Sequence, residues 1–199
     1  NSLASIKDSI FYLNTYGSLY SINNNGRINW FLNLKESLDE NSSNLFFSNP
    51  IALYQNKLIV SSDPYLYILN SITGSTISKI AISSLFKPIV SGKNIFLITK
   101  DNLLVCLNLD TGSVIYSVEI NQEIANYLET KKKSIDIKSM ALINDNLFLF
   151  LNNSFLIQFS VEGKIKNIDK LPVKLGSLPI FIKDSIIYLN NKNKLIIIN

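Results

Sequence analysis

Ser18-Leu-Tyr-Ser-Ile-Asn-Asn-Asn-Gly-Arg-Ile-Asn-Trp30 is the stretch of sequence that decides the fold. Its pattern predicts a strand, a tight turn closed by Gly26 and a second strand that ends in an aromatic residue. The pattern recurs in degraded form at residues 65–74, 102–112, 154–163 and 193–199. Each copy is expected to form the same small structural unit, so the repeat predicts a fold built from several similar units.

Each copy belongs to a longer unit of up to four short segments, rich in β-branched and aromatic residues and bounded by Asn, Asp, Gly and Ser. This composition is typical of strands. Because short turns separate the segments, we expect them to pair as an antiparallel meander. The third and fourth segments join at Gly26, Gly74, Gly112 and Gly163, where a tight hairpin needs positive φ.

The spacing of the units predicts a β-propeller. The steps from Leu58 to Ile95 and from Leu147 to Ile186 are close to the roughly 40-residue period of a propeller blade. We therefore predict an all-β fold, a β-propeller of four-stranded antiparallel blades that forms a single domain or a partial propeller. The five predicted blades cover approximately residues 1–34, 49–82, 85–120, 136–172 and 175–199. Since the fifth has three strands, we expect a piece of a larger ring; the alternative is that five units close on themselves.

Composition narrows the class of function. Hydrophobic residues make up 47% of the chain and charged residues 17%, which suits a folded core. The net charge is +4, but the lysines are scattered except at residues 131–133, so we expect no nucleic-acid partner. There is no histidine, which excludes histidine-based triads and metal sites. The single Cys106 lies in an apolar segment and is expected to be buried.

Asp110-Thr111-Gly112 matches the triplet of aspartic proteases. That chemistry needs two carboxylates that share a proton, and the chain has no second triplet. Because the triplet falls at the turn of a repeat, we interpret it as a structural turn.

The repeats resemble the family of PQQ-like propeller repeats, whose blades combine a Leu-Tyr pair, a Thr-Gly turn and a late Trp. The matching positions are Leu19-Tyr20, Leu66-Tyr67, Thr73-Gly74, Asp110-Thr111-Gly112 and Trp30. The resemblance covers nearly the whole chain and implies a propeller fold. Only Trp30 is kept at the end of a blade, while Lys79, Tyr116 and Asn167 lie near the equivalent places. The ring of stacked tryptophans of quinoprotein enzymes is therefore not expected.

The same resemblance raises the possibility of a PQQ-dependent dehydrogenase. Such an enzyme needs calcium ligands, a general base and stacking partners along the propeller axis. The first segments of the units, which should line that axis, contain no carboxylate, and the chain lacks the vicinal cysteine pair typical of these enzymes. We therefore predict no enzyme activity, no cofactor and no metal site.

Two insertions are the predicted protein-binding regions. The first, residues 35–48, carries Leu45, Phe46 and Phe47; the second, residues 121–136, carries Tyr127, Leu128, Lys131, Lys132 and Lys133. Helical spacing of apolar residues in the second insertion predicts a short helix. Exposed aromatic residues beside charge suit a protein-binding surface. The alternative is that the aromatic residues plug the propeller and the lysines are only solvated.

The function implied by the resemblance is that of a scaffold. Non-enzymatic PQQ-like propellers are similar to the B-subunit lipoprotein of the bacterial outer-membrane β-barrel assembly machinery. This similarity implies a periplasmic, outer-membrane-associated scaffold that binds the periplasmic repeats of the barrel-forming subunit. No apolar run approaches the roughly 18 residues of a membrane span, so membrane association would come through parts outside this chain. The alternative is the luminal stress-sensor domain of a membrane kinase, which an adjoining kinase domain would favour.

Overall fold

A computed structural model of the chain describes residues 2–35, 48–183 and 185–198. Within those ranges the chain forms nineteen strands and one α-helix. The strands build four four-stranded sheets and one three-stranded sheet, and in each sheet the strand order follows the chain. The pairing is antiparallel. The predicted all-β fold with four-stranded antiparallel meanders is therefore confirmed, and about five blades fit it.

The strands are numbered in chain order. Sheet 1 contains β1 (Ser2–Ile6), β2 (Ser9–Leu13), β3 (Ser18–Asn23) and β4 (Ile28–Asn33). Sheet 2 contains β5 (Ala52–Tyr54), β6 (Lys57–Ser62), β7 (Tyr65–Asn70) and β8 (Thr76–Ile80). Sheet 3 contains β9 (Ile89–Ser91), β10 (Asn94–Ile98), β11 (Leu103–Asn108) and β12 (Val114–Glu119). Helix α1 (Ile120–Tyr127) follows. Sheet 4 contains β13 (Ile137–Ile143), β14 (Asn146–Leu151), β15 (Phe155–Ser160) and β16 (Ile165–Lys170). Sheet 5 contains β17 (Ile180–Ile182), β18 (Ser185–Leu189) and β19 (Leu195–Ile198).

The chain divides into two compact units, residues 1–117 and residues 118–199. Unit 1 holds sheets 1 and 2 and most of sheet 3, and the boundary lies within β12. Unit 2 holds α1 and sheets 4 and 5. Whether the chain forms the predicted single domain with those blade limits stays a prediction.

The core of unit 1 lies between its sheets. One cluster joins sheets 1 and 2 and includes Phe11, Leu19, Val60 and Leu69. The inner strands β6, β7, β10 and β11 are buried along nearly their whole length. This burial explains why these segments are apolar at successive positions, as strands covered on both faces are. Cys106 is buried among them, as expected, and burial raises the pKa of its thiol to about 11.

Side-chain oxygens close the turns that follow the third strands. Asn70 Oδ1 accepts hydrogen bonds from the backbone N–H groups of Ile72 and Thr73, at 2.9 and 3.1 Å. Asn108 Oδ1 accepts in the same way from Asp110 and Thr111, at 2.8 and 3.0 Å. Such local hydrogen bonds give the backbone N–H groups partners outside a helix or sheet, and so stabilise a turn. The Asp-Thr-Gly triplet therefore belongs to a structural turn.

The contact between sheets 1 and 2 depends on Trp30. Its indole N–H donates to the backbone oxygen of Ser71 at 3.0 Å. The ring lies directly against Gly74, where a Cβ atom would stand 2.6 Å from Trp30 Cδ2. Gly74 also has a φ of +74°, so both the turn and the indole require glycine there.

The equivalent contact between sheets 2 and 3 is made by a serine. A Cβ atom at Gly112 would meet the side chain of Ser78, just as one at Gly74 would meet Trp30. The register agrees, because Ser78 pairs with Ile68 as Trp30 pairs with Ser21. The position equivalent to Trp30 is therefore Ser78. Lys79, which the sequence placed near that position, instead lies with its Nζ 3.9 Å from the centre of the Tyr65 ring.

The face of sheet 1 opposite to Trp30 carries a row of one leucine and three aromatic residues across its strands. Leu3, Tyr12, Tyr20 and Phe31 are successive register partners across its four strands. The ring centroids of Tyr12 and Tyr20 are 6.3 Å apart, and those of Tyr20 and Phe31 are 5.5 Å apart. Cross-strand aromatic pairs of this kind stabilise a sheet beyond its backbone hydrogen bonds.

Unit 2 has its own apolar core. Phe150 and Leu156 of sheet 4 pack with Leu171, Leu175 and Tyr188. The hydroxyl of Tyr188 donates to the backbone oxygen of Val173 at 3.0 Å, so its polar end is satisfied within the core. Helix α1 confirms the short helix predicted in the second insertion. No helix among the described residues has the length and apolar character needed to cross a membrane.

Candidate protein-binding site on the helical insertion

Of the two insertions, the second lies wholly within the described residues and the first lies mostly outside them. Leu45, Phe46 and Phe47, predicted to bind protein from the first insertion, lie outside the described residues. The second insertion is described throughout and belongs to unit 2. The candidate site is therefore built from this second insertion and the sheet beneath it.

Helix α1 is fixed on sheet 4 by its apolar side and by one hydrogen bond. Ile120 and Ala125 are buried. The hydroxyl of Tyr127 donates to the backbone oxygen of Lys166 in β16, at 3.4 Å. The helix ends where the N–H of Leu128 bonds to the backbone oxygen of Ile124, and Thr130 bonds likewise to Ala125. Residues 129–136, called the returning segment below, then connect the helix to β13.

A cavity of about 290 Å³ lies between the helix, this returning segment and sheet 4. Its walls are apolar side chains from all three elements. The helical end supplies Ile124, Ala125 and Leu128, the returning segment supplies Ile135, and sheet 4 supplies Leu151, Phe155, Ile157 and Ile168. Polar side chains complete the lining, namely Asn121, Thr130, Lys131, Lys133, Ser134 and Asn153.

The structure brings three of the predicted residues together. Leu128, Lys131 and Lys133 all line the cavity. Leu128 is 48% exposed although it belongs to the wall, so it is accessible to a partner. Tyr127 is 46% exposed and lies outside the lining, where it holds the helix on β16. Tyr127 therefore acts in positioning the helix.

The three lysines have different electrostatic surroundings. Lys132 forms an ion pair with Glu119, with an Nζ–Oε1 distance of 2.5 Å. Lys131 and Lys133 are exposed and form no ion pair with a carboxylate of the described residues. The cavity therefore has apolar walls and, in its lining, two lysines that no carboxylate of the described residues neutralises.

Asn121 is a site residue that the sequence analysis missed. It lines the cavity, and its Oδ1 atom is buried without a hydrogen-bond partner among the described residues. A buried acceptor left unpaired destabilises a fold by about 1–3 kcal/mol. Nothing in the sequence distinguishes this Asn from the many others, because its surroundings arise only when the helix packs on sheet 4.

The described residues do not fit a calcium–quinone site. They contain no group of three His, Cys, Asp or Glu side chains placed to hold a metal ion. The first strands of the sheets, which the sequence analysis assigned to the propeller axis, carry no carboxylate in their described residues. The first strands therefore offer no carboxylate oxygen, the charged ligand that calcium favours.

Solved structures resemble the chain at low sequence identity. BamB from Moraxella catarrhalis matches with a TM-score of 0.74 and 12% identity, over 98% of this chain and 56% of that chain. A europium-containing methanol dehydrogenase matches with a TM-score of 0.70 and 9% identity, over 98% and 48%. The quinohemoprotein alcohol dehydrogenase from Comamonas testosteroni matches with a TM-score of 0.69 and 11% identity, over 96% and 41%.

These matches establish the fold, and at this identity they do not establish a function. The chain spans about half the length of the solved structures it matches. No protein-family model and no curated protein sequence matches the chain. The predicted β-propeller fold is confirmed, and the chain shares it with BamB and with the two dehydrogenases.

Proposed function

We propose that this chain is a non-enzymatic, protein-binding part of a β-propeller that assists the assembly of outer-membrane β-barrel proteins in the bacterial periplasm. The observation that carries the proposal is the cavity on the helical insertion, with its apolar walls and with Lys131 and Lys133 exposed in its lining. Its partner would be the periplasmic repeats of the barrel-forming subunit.

The composition of the site supports binding to a protein. Interfaces depend on a few apolar or aromatic anchors that fill pockets, surrounded by a polar rim. Here the cavity offers the pocket, exposed Leu128 offers apolar contact area, and Lys131 and Lys133 offer the rim. The helix is held on β16 by Tyr127, and the chain continues from its end directly into Leu128 and the lysines.

The fold supports the more specific role. BamB is among the structures that match the chain over nearly its whole length. The repeats also resemble those of the B-subunit scaffold of the assembly machinery. A periplasmic location associated with the outer membrane follows from this role, with attachment through parts of the protein outside this chain.

Direct binding tests the proposal. The full-length protein that contains this chain should bind the purified periplasmic repeats of the barrel-forming subunit in calorimetry. Leu128→Asp should weaken that binding by about tenfold or more, because it places a charge in the wall of the pocket. Leu178→Asp is the matched control, since Leu178 is an exposed leucine of unit 2 outside the cavity, and it should leave binding unchanged. If the unaltered protein fails to bind, the assembly role is wrong.

A PQQ-dependent dehydrogenase is the second candidate, since two such folds match the chain. The donor set of the described residues argues against this function. Incubation of the full-length protein with PQQ and Ca²⁺, followed by an alcohol-oxidation assay, distinguishes the two. Robust turnover would replace the scaffold proposal with the enzyme.

A further inference from the structure

We infer that the cavity on the helical insertion binds an extended acidic peptide, with one apolar side chain inside the cavity and flanking carboxylates on Lys131 and Lys133. The inference rests on the proposed protein-binding function and names the chemistry of the segment that the site takes. Four features of the cavity carry it: its volume, its walls, its unpaired acceptor and its charge.

The volume suits a side chain better than a cofactor. Pockets for small molecules and cofactors typically measure about 300–1,000 Å³, and this cavity of about 290 Å³ falls at the lower limit. One large apolar side chain with its adjoining backbone fits such a space.

The walls select an apolar anchor. Ile157, Leu151 and Ala125 are buried wall residues, and the partly exposed Phe155 and Leu128 extend the apolar surface outward. A polar or charged side chain placed among them would lose its hydration without gaining partners. An aliphatic or phenyl side chain would lose only unfavourable contact with water.

The unpaired acceptor would gain a donor from the ligand once the Asn121 side chain turns toward the cavity, because its Oδ1 atom is buried as it stands. Asn121 Oδ1 is buried in the site and receives no hydrogen bond from the described residues. A peptide supplies backbone N–H groups on either side of its anchor. A fatty acid, the other amphiphile that would match apolar walls and lysines, has no N–H group and is ionised at neutral pH. This acceptor therefore favours a peptide over a lipid.

The charge of the site selects acidic flanks. Lys131 and Lys133 both line the cavity, while Lys132 between them pairs with Glu119. Because both line the same cavity, these two lysines place positive charge at its edge, and neither forms an ion pair with a carboxylate of the described residues. Carboxylates spaced along an extended peptide meet that arrangement, and a basic peptide would be repelled.

The test uses a fluorescently labelled hexapeptide with capped ends and the sequence Glu-Asp-Phe-Leu-Asp-Glu, titrated with the full-length protein up to about 1 mM. Saturable binding is expected. Replacing Phe-Leu by Ser-Ser should abolish it, and replacing all four acids by lysine should do the same. Absence of saturable binding of the acidic peptide overturns the inference.

Variants of the protein locate the binding. The double substitution Lys131→Glu/Lys133→Glu should lower the affinity for the peptide by about five- to twentyfold and remove most of the salt dependence of binding. The pair Lys192→Glu/Lys194→Glu is the matched control, because these lysines have the same spacing, belong to unit 2 and lie outside the cavity lining. An equal loss in both pairs would mean nonspecific charge attraction and would overturn the inference.

Asn121→Leu separates a peptide from a lipid. The substitution keeps the shape of the side chain and removes the acceptor, so peptide affinity should fall about tenfold. Decanoate, added as a competitor, should displace the peptide only weakly. Strong displacement by decanoate, with no effect of Asn121→Leu on the peptide, would assign the cavity to a lipid.

The two proposals fail separately. If the barrel-forming subunit binds but the peptide does not, the acidic-peptide inference is wrong and the assembly role stands. If the peptide binds with the expected dependence on Lys131 and Lys133 but the subunit does not, the assembly role is wrong and the inference stands.

Discussion

The Trp30 contact in unit 1 and the cavity in unit 2 are opposite solutions to packing against a blade. At the first, an indole lies on a glycine that leaves it room, and its N–H finds the oxygen of Ser71. At the second, a helix lies on sheet 4 but leaves a space of about 290 Å³, and the Asn121 acceptor receives no hydrogen bond from any described residue. The Trp30 contact is closely packed and hydrogen-bonded, so it stabilises the fold. The cavity beneath α1 leaves space that a ligand can fill.

Removal of the indole should have the largest effect. Trp30→Ala should destabilise unit 1 by about 3 kcal/mol, because it opens a cavity beside Gly74 and leaves the oxygen of Ser71 unpaired. The measurement is urea denaturation followed by tyrosine fluorescence or circular dichroism. Peptide binding to unit 2 should not change in the native protein. A stability loss below about 1 kcal/mol would mean that Trp30 is not a structural contact.

Two glycine substitutions separate close packing from backbone strain. Gly74→Ala and Gly26→Ala both force alanine into a positive φ, at +74° and +75°, but only at Gly74 does the new Cβ meet the Trp30 ring. Gly74→Ala should therefore cost about 2 kcal/mol more than Gly26→Ala in urea denaturation. Adding Trp30→Ala to Gly74→Ala should remove most of that difference. Equal losses for the two single variants would contradict the packing argument.

Asn121→Leu should act in the opposite direction to the changes in unit 1. It removes a buried acceptor that has no partner among the described residues, so it should stabilise unit 2 by about 1 kcal/mol while it weakens binding of the peptide. Hydrogen exchange of the backbone amides of α1 measures the stability, and the peptide titration measures binding. Gln122→Leu, an exposed position of the same helix, controls for helix propensity. If Asn121→Leu destabilises the helix, its side chain has a structural partner.

The smallest effect should be a change in acid stability. A hydrogen bond and the charge of Lys57 lower the pKa of the Asp110 carboxyl. A carboxyl with a lowered folded-state pKa contributes stability above its unfolded pKa, and that contribution is lost as the pH falls through the folded value. Asp110→Asn should therefore flatten the fall in stability below about pH 4, measured by thermal unfolding at several pH values. Asp145→Asn, at an exposed turn, is the control. Identical pH profiles for the parent and Asp110→Asn would contradict the ion pair's contribution.

The repeat predicted most of the fold because its signals are local. Alternating turns and β-branched segments fix strands and hairpins through neighbouring residues, and the turn glycines follow from the required φ. The equivalence of Ser78 to Trp30 could also have been found, since both lie four residues after a turn glycine. A bulge recurs at the same place in both hairpins and keeps that count constant.

The site was predictable only in part. The run of lysines and Leu128 are visible in the sequence, and helix α1 sets this region apart from the sheets. The division of the lysines between the cavity and Glu119 depends on the path of the chain after α1. The burial of Asn121 depends on how the helix docks on sheet 4. Both are tertiary properties, which the local sequence pattern does not specify.

The meander also has a consequence for how the protein is made. Every sheet is assembled from strands consecutive in the chain, and Asn70 and Asn108 close their turns with side chains only a few residues away. Little chain entropy is lost in bringing such neighbours together, and folds rich in short-range contacts form quickly. Sheet 1 can therefore complete its hydrogen bonds while sheet 2 is still being translated. Trp30 can make its contacts with Ser71 and Gly74 only after β7 and the turn that follows it have been synthesised.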